Sequence, residues 1–222
     1  MNLLYKPFSL SMSFNENIVN VLAIESPSVL EDFCRAIFCP EDSDGNLILS
    51  ELDRELSITK MIDTIYNPFQ VSLRDKKIIN GLYKILSQEE NEKVIEYLAG
   101  INQDCIALLD ELSEQNGFSI EYNLNIDVTS ILKMYDVHIA EEPTDFVGKL
   151  YNYVMASNRI CGYTKFCFFG LRYYLTTQQL KEFYKTCHYQ KIDLLIVEPR
   201  YAGQNEYEKC WIIDENQCII EV

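Results

Sequence analysis

Residues 18–24, Ile-Val-Asn-Val-Leu-Ala-Ile, lead directly into Glu25-Ser26-Pro27-Ser28, and this stretch decides the fold. The apolar run is rich in β-branched residues and predicts a buried strand. Ser26 or Ser28 is a suitable N-cap for a following helix, whose apolar face contains Val29, Leu30, Phe33 and Ile37. A buried strand that turns at once into an amphipathic helix is the repeating unit of an α/β sheet.

The same alternation returns in the last third of the chain. Residues 165–170 and 193–198 form two more apolar runs, and Thr176 with Gln179 forms a capping box that opens a helix between them. Residues 210–214 and 218–222 predict a closing hairpin. Shorter extended segments are predicted at 47–56, 58–65, 118–122 and 137–140, with a short helix at 128–134 and a helix capped by Thr144. The pattern predicts a doubly wound, mostly parallel sheet covered on both faces.

The stretch between the two α/β regions is helical. Residues 72–86 predict one helix, and a second is predicted from about 88 to 115, ending at Gly117. Apolar residues recur in the second helix at heptad spacing: Val94, Leu98, Ile101, Cys105, Leu108 and Leu112. Periodicity alone allows either a seam for another helix or subunit, or an ordinary core helix. We predict a head formed by 1–70 and 117–222, with an inserted helical leg at 71–116.

Charge is unevenly distributed along this acidic chain of 222 residues, which has a net charge of −15. Residues 147–191 contain the single acid Glu182 and seven bases: Lys149, Arg159, Lys165, Arg172, Lys181, Lys185 and Lys191. A smaller excess at 61–86 contains Arg74, Lys76, Lys77 and Lys84. An acidic protein with one basic surface can bind a polyanion locally, although a basic stretch can equally be only a solvated face.

Motifs of nucleotide enzymes are missing from the sequence. There is no glycine-rich phosphate loop ending in Gly-Lys-Ser/Thr, no dinucleotide fingerprint, no serine-hydrolase elbow and no paired-cysteine zinc motif. Carboxylates gather around the junction of leg and head at Glu121, Asp127, Glu141, Glu142 and Asp145. They would suit Ca²⁺ or the metal of a nuclease or phosphatase, and they would equally suit a solvated acidic surface.

The chain is expected in the cytoplasm. It starts without a signal-peptide pattern and contains no apolar stretch of membrane-spanning length. Its eight cysteines are interpreted as reduced thiols, several of them among apolar neighbours.

Several segments together resemble a known family, the accessory adaptation protein of type II-A CRISPR systems. The matching segments, in order, are Phe8-Ser9-Leu10, residues 58–65 with Asp63, Asn91-Glu92-Lys93, the helix from Asp145, residues 165–170, Leu175-Thr176, residues 193–200 and Ile213-Asp214-Glu215. Two positions depart from the family pattern. The acidic run after the leg keeps one carboxylate in Ile120-Glu121-Tyr122-Asn123, and Tyr163-Thr164-Lys165 keeps one lysine.

This resemblance implies a head similar to P-loop ATPases but without their nucleotide site, and a non-catalytic protein. Family members form tetrameric rings that bind calcium and hold double-stranded DNA ends, beside the CRISPR integrase proteins and the RNA-guided effector nuclease. We therefore expect a sequence-independent DNA-end-binding ring, with Glu121 and Asp127 as metal ligands and with phosphate contacts from Lys76, Lys77, Lys84, Lys149, Lys165, Lys181 and Lys185. The alternatives are a metal-dependent nuclease or phosphatase acting near Glu121, or a protein-interaction scaffold.

Overall fold

The computed structural model describes residues 1–15, 17–43, 45–52, 54–88, 91–123, 126–141 and 144–222. They form two compact units. The head consists of Met1–Ser72 and Glu142–Val222, and the helical unit of Leu73–Glu141. Strands in these residues are β1 (Asn2–Tyr5), β2 (Leu10–Ser13), β3 (Val19–Ile24), β4 (Leu47–Glu51), β5 (Arg54–Leu56), β6 (Ile62–Ile65), β7 (Lys165–Phe169), β8 (Asp193–Glu198), β9 (Glu208–Ile213) and β10 (Ile219–Glu221). Helices are α1 (Pro27–Phe38), α2 (Ile58–Met61), α3 (Lys76–Gln88), α4 (Glu92–Asn116), α5 (Val128–Met134), α6 (Phe146–Ala156) and α7 (Thr177–Tyr189).

The main sheet of the head confirms the predicted fold class. Its six strands lie in the order β10-β9-β3-β8-β7-β6, and all neighbours are parallel except the β9–β10 hairpin. Every residue of β3 and β7 is buried, as expected for strands covered on both faces. Cys167 and Phe169 face a core shared with α1, whereas Phe168 packs edge-on against Phe183 of α7 on the opposite face.

A second, antiparallel sheet is predicted only in part from the sequence. It has the order β2-β1-β4-β5 and contributes Leu3, Tyr5 and Met12 to the core that contains α1. Strand β1 alternates buried residues with more exposed ones, which is the pattern of a strand with one face on the core. Of its four strands, the sequence predicts only one, within 47–56, where the structure has the two strands β4 and β5.

Four local predictions differ from the structure. Residues 58–61 form the single turn α2 before β6 begins, because the backbone carbonyl of Ser57 accepts from the N–H groups of Lys60 and Met61. Helix α6 is capped by Asp145 rather than Thr144, since Asp145 Oδ1 accepts from the Gly148 N–H at 2.8 Å. The segments 118–122 and 137–140 are not strands, because neither joins a sheet ladder within the described residues.

The helical unit extends beyond the predicted leg boundary at 116. Helix α5 and the segment before it are held by the two longer helices, because Tyr83 donates to the Leu132 carbonyl at 3.1 Å and Asn102 exchanges hydrogen bonds with the backbone of Ile126. Asn91 caps the N-terminus of α4, and Gly117 ends the helix with φ of 67°. The unit therefore runs through Glu141.

Candidate nucleic-acid interface

The basic residues of the head divide into exposed and buried groups. Lys149, Arg159, Lys185 and Lys191 are exposed, and Lys149 Nζ also donates to the Phe69 carbonyl at 3.4 Å. Lys181 is half-exposed on α7, where its ammonium lies 3.3 Å from a carboxylate oxygen of Glu206. This pairing lowers the pKa of Glu206, so Lys181 faces an ionised partner. Counting bases along the chain therefore overestimates the positive surface of the head.

Lys165 does not lie on that surface. Its side chain is only 10% exposed, its Nζ lies 3.4 Å from Asp193 Oδ2, and it stands 5.8 Å from the centre of the Phe14 ring. A buried ammonium held by a carboxylate cannot reach a phosphate without separating the pair, which is costly at low dielectric. We therefore remove Lys165 from the phosphate-contact set. Lys165 is the first residue of β7, and all five residues of this strand are buried.

Arg172 is likewise structural. It lies in the 3₁₀ turn Leu171–Tyr173, its side chain is 8% exposed, and Nη2 lies 2.7 Å from the Gly203 carbonyl and 3.8 Å from Glu208 Oε2. The backbone N–H of Arg172 donates to Glu198 Oε1 at 2.9 Å. Burial raises the pKa of Glu198 to about 7, against the lowering effect of its bond to Arg172. Through these contacts Arg172 connects its turn to the end of β8, to the segment between β8 and β9, and to the start of β9.

Three lysines of the helical unit, Lys76, Lys77 and Lys84, lie on α3. Ile78 and Tyr83 are the buried residues of this helix. Lys77 and Lys84 are seven residues apart and so lie within about 20° of each other, on the face opposite those two side chains. Lys76 and Lys84 are exposed, and Lys77 is half-buried. Lys76 lies about 100° away from Lys77, on the side of Tyr83, so only Lys77 and Lys84 share the outer face of α3.

Within the described ranges, the carboxylates expected to bind a metal do not gather into one group. Asp127 is the N-cap of α5, and its Oδ1 accepts from both the N–H and the hydroxyl of Ser130, which lowers its pKa. Glu141 accepts from the Leu73 N–H, Glu121 is exposed, and Glu142 lies outside the described residues. No group of three potential ligands gathers among the residues that the structure describes. Because Ca²⁺ takes six to eight oxygens, the described carboxylates alone do not supply a complete site for a calcium ion or a nuclease metal within one chain.

The connection from β3 to α1 is short, and a crevice lies nearby at the edge of the main sheet. Only Glu25 and Ser26 connect β3 to α1, which leaves no room for a loop that wraps a phosphate. A cavity of about 750 Å³ opens beyond the carboxyl ends of β6, β7 and β8, against the first turns of α1. Its lining includes five aromatic residues, Tyr66, Phe69, Phe169, Tyr173 and Tyr174. We call it the aromatic crevice.

Sequence reasoning missed this crevice. Its walls come from four separated segments, and the one local signal was the presence of aromatic residues just after predicted strands, such as Tyr66 after β6 and Tyr173 after β7. In an open α/β sheet, residues that follow parallel strands meet at one edge.

The head thus has an open, mostly parallel sheet with an aromatic crevice beyond the carboxyl ends of its strands. Consistent with this, the chain is similar to the cbiO1 protein of Clostridium perfringens, described as part of the ABC transporter complex cbiONQ, with 10% identity over 96% of this chain and 80% of that one and a TM-score of 0.52. It is also similar to Stu0660 of Streptococcus thermophilus, with 11% identity over 100% of this chain and 76% of that one and a TM-score of 0.62.

The family follows from the sequence. The family model described as CRISPR-associated protein (Cas_Csn2) matches residues 40–217, so the chain belongs to this CRISPR-associated family. No curated protein matches the chain in sequence. None of the helices in the described ranges is both long and apolar enough to cross a lipid bilayer.

Proposed function

We propose that this protein is a non-catalytic, sequence-independent DNA-end-binding ring protein of CRISPR spacer acquisition, and that it works in the cytoplasm beside the integrase proteins and the RNA-guided effector nuclease. The supporting observation is the group of three lysines on α3, Lys76, Lys77 and Lys84, in a unit whose net charge is negative. Phosphate contacts from such lysines require no base-reading helix. Family membership supports the CRISPR context, and the exposed Lys149 and Lys185 supply a second basic set on the head.

Charge reversal of either set tests DNA binding. We expect the triple variant Lys76→Glu, Lys77→Glu, Lys84→Glu to weaken binding to a labelled linear duplex and to reduce the log–log salt slope by roughly three, because each lost phosphate contact removes about 0.9. A second triple variant carries the same change at Lys149, Lys181 and Lys185. Fluorescence anisotropy at several salt concentrations, with linear and closed circular DNA, measures both quantities.

The control for this experiment is a third triple variant, Lys6→Glu, Lys60→Glu, Lys93→Glu, which makes the same change in net charge at exposed lysines outside both sets. If the two test variants lose no more affinity and no more salt slope than the control, the DNA-binding proposal fails.

The same DNA titrations, run with calcium and with EDTA, test whether calcium affects binding. A calcium effect that Asp127→Asn removes would assign Asp127 to the ion, since Asn also caps a helix.

Helix α4 carries an exposed apolar stripe that provides a test of self-association. None of its side chains is fully buried, and Ile101, Leu108 and Leu112 form an exposed apolar stripe along one face at heptad spacing. We propose that this stripe packs against another copy in the ring, which we expect to be a tetramer. Leu108→Glu with Leu112→Glu should shift the wild-type oligomer to a smaller species in sedimentation velocity at micromolar concentration.

The matched control for assembly is Gln103→Glu, at an exposed position on the opposite face of α4. It should leave the sedimentation coefficient unchanged. A wild-type protein that sediments only as a monomer, with and without duplex DNA, would refute the ring. A variant that keeps the wild-type mass would exclude the stripe as its interface.

A further inference from the structure

The connection between β8 and β9 crosses the main sheet without a helix. Residues 199–207, which we call the crossover segment, contain no helix or strand, although they join two parallel strands on opposite sides of β3. Such a crossover usually forms a helix, whose own backbone hydrogen bonds keep it in place. Here the segment lies against α7, where Glu206 meets Lys181 and the Tyr207 ring meets His188 edge-on. Side chains of neighbouring elements therefore hold it.

One buried arginine holds the middle of the crossover segment. Arg172 Nη2 donates to the Gly203 carbonyl at 2.7 Å and lies 3.8 Å from Glu208 Oε2, at the start of β9. Glu208 in turn accepts from the backbone N–H of Asn205 at 2.6 Å. The side chains of Arg172 and Glu208 are only 8% and 0% exposed. The segment is thus attached at two positions to one buried ion pair.

A second buried carboxyl lies beside the same arginine. Glu198, the last residue of β8, is 2% exposed, and its Oε1 accepts from the backbone N–H of Arg172 at 2.9 Å. Arg172 Nη1 is buried and has no hydrogen-bond partner among the residues that the structure describes. An ionised Glu198 can bond to this donor only if the guanidinium moves, because no such bond exists while Nη2 holds Gly203.

The proton on Glu198 decides how many carboxylates share the guanidinium. In the described part of the chain, the ionisable groups that act on Glu198 are Arg172 from the turn after β7, Glu208 from β9 and Tyr184 from α7. Burial raises the pKa of the Tyr184 phenol well above its usual value, so this group stays neutral. Burial also raises the pKa of Glu198 to about 7, against the lowering effect of Arg172. One cation therefore faces one carboxylate before Glu198 ionises and two afterwards.

We propose that the crossover segment is a lid that stays closed while Glu198 is protonated and opens when Glu198 ionises. The new carboxylate attracts the guanidinium of Arg172 through Nη1 and draws it away from the Gly203 carbonyl. Glu208 then keeps its bond to Asn205 only as a buried charge without a close cation, which is costly in a region closed to water. Opening of the segment hydrates both carboxylates and removes this cost.

Backbone strain in the crossover segment favours the same movement. Gly203 and Tyr207 both have positive φ, of 86° and 74°. Glycine adopts this conformation freely, whereas tyrosine is strained in it and relaxes when the segment moves. Opening uncovers the buried side chains of Arg172 and Glu208. The proposal concerns the head alone and does not depend on DNA binding.

Hydrogen exchange of the full chain, followed by mass spectrometry, tests the lid. Closure is strongest below about pH 4.5, the ordinary pKa of a glutamate, and weakens as pH rises to about 7. Protection factors, corrected for the intrinsic effect of pH on exchange, are compared at pH 5 and pH 8. Amides of the crossover segment, including those of Tyr201 and Asn205, should lose protection at least about ten-fold, because an opening coupled to one ionisation changes up to ten-fold per pH unit.

Two variants isolate the proton on Glu198. Glu198→Gln mimics the protonated carboxyl, so its crossover segment should have the same protection at both pH values. Glu182→Gln, at an exposed position on α7, is the matched control and should keep the wild-type pH dependence.

A wild-type crossover segment whose protection changes no more between pH 5 and pH 8 than that of Glu198→Gln overturns the proposal. A pH dependence that Glu198→Gln retains would assign the effect to another group and also overturn it. Crossover-segment amides as strongly protected as those of β3 at both pH values would show that they exchange only by global unfolding, and then no lid exists.

Discussion

Replacing Arg172 by methionine should lower the free energy of unfolding by about 3–5 kcal/mol, the usual result of removing one partner of a buried ion pair. Glu208 has a fully buried side chain that accepts from the Tyr184 hydroxyl at 2.9 Å and the Asn205 N–H at 2.6 Å. Without Arg172 its carboxylate loses its cationic neighbour in a region that water does not reach. Urea denaturation at pH 8, followed by circular dichroism, measures the change.

The same change at a solvent-accessible pair is the control. Lys181→Met breaks the contact with Glu206 and should cost less than about 1 kcal/mol, as exposed ion pairs do. Adding Glu208→Gln to Arg172→Met should recover part of the loss, because it removes the uncompensated charge. If Arg172→Met is no more destabilising than Lys181→Met, the buried pair does not stabilise the head in the way we expect.

The second large effect is a pH dependence that comes from Glu198. Burial raises the pKa of this carboxyl from 4.5 to about 7 in the folded protein. Between these two values the folded state keeps a proton that the unfolded state has lost, so stability falls as pH rises from about 4.5 to about 7. One pKa unit corresponds to about 1.4 kcal/mol, which makes the loss on the order of 3 kcal/mol. Glu198→Gln, which mimics the protonated form, should therefore match the wild type near pH 5 and be more stable at pH 8.

Unfolding free energies at intervals from pH 5 to pH 8 measure this difference. The glutamine side chain of the Glu198→Gln variant retains an oxygen that can accept from the Arg172 N–H, so the hydrogen bond is preserved and only the charge is removed. Glu182→Gln, at an exposed position on α7, provides the baseline. Parallel curves for the wild type and Glu198→Gln would show that Glu198 ionises as an ordinary surface carboxyl, contrary to our expectation.

Elements that depend on local chemistry can be predicted well from the sequence. Strand β8 and helix α5 have the predicted bounds, and the capping box of Thr176 and Gln179 forms as expected. Each depends on residues within one turn or one strand, because hydrophobic runs and side-chain caps act over short distances. The six-residue strand β3 can be predicted equally well, because all of its side chains except that of Asn20 are apolar.

Features that depend on distant contacts are not predictable in the same way. Lys165 counts as a surface base in the sequence because nothing nearby indicates Asp193 as its partner. The antiparallel sheet pairs β1 with β4, more than forty residues later, and the aromatic crevice needs residues from α1, from the ends of β6, β7 and β8, and from the turn at Tyr173. A single sequence shows the composition of such segments but not their pairing.

The pairing of β3 has a consequence for folding during synthesis. This strand is flanked on both sides by strands made much later, because Val21 pairs with Ile196 and with Cys210. Until the ribosome has extended the chain past β8, the apolar edges of β3 have no partner in the main sheet. The helical unit, whose internal contacts all fall between Leu73 and Glu141, can complete itself before then. Non-local parallel pairing is slow and exposes strand edges to aggregation. The nascent chain is therefore most prone to aggregation after the helical unit has folded and before β8 and β9 have been synthesised and can pair with β3.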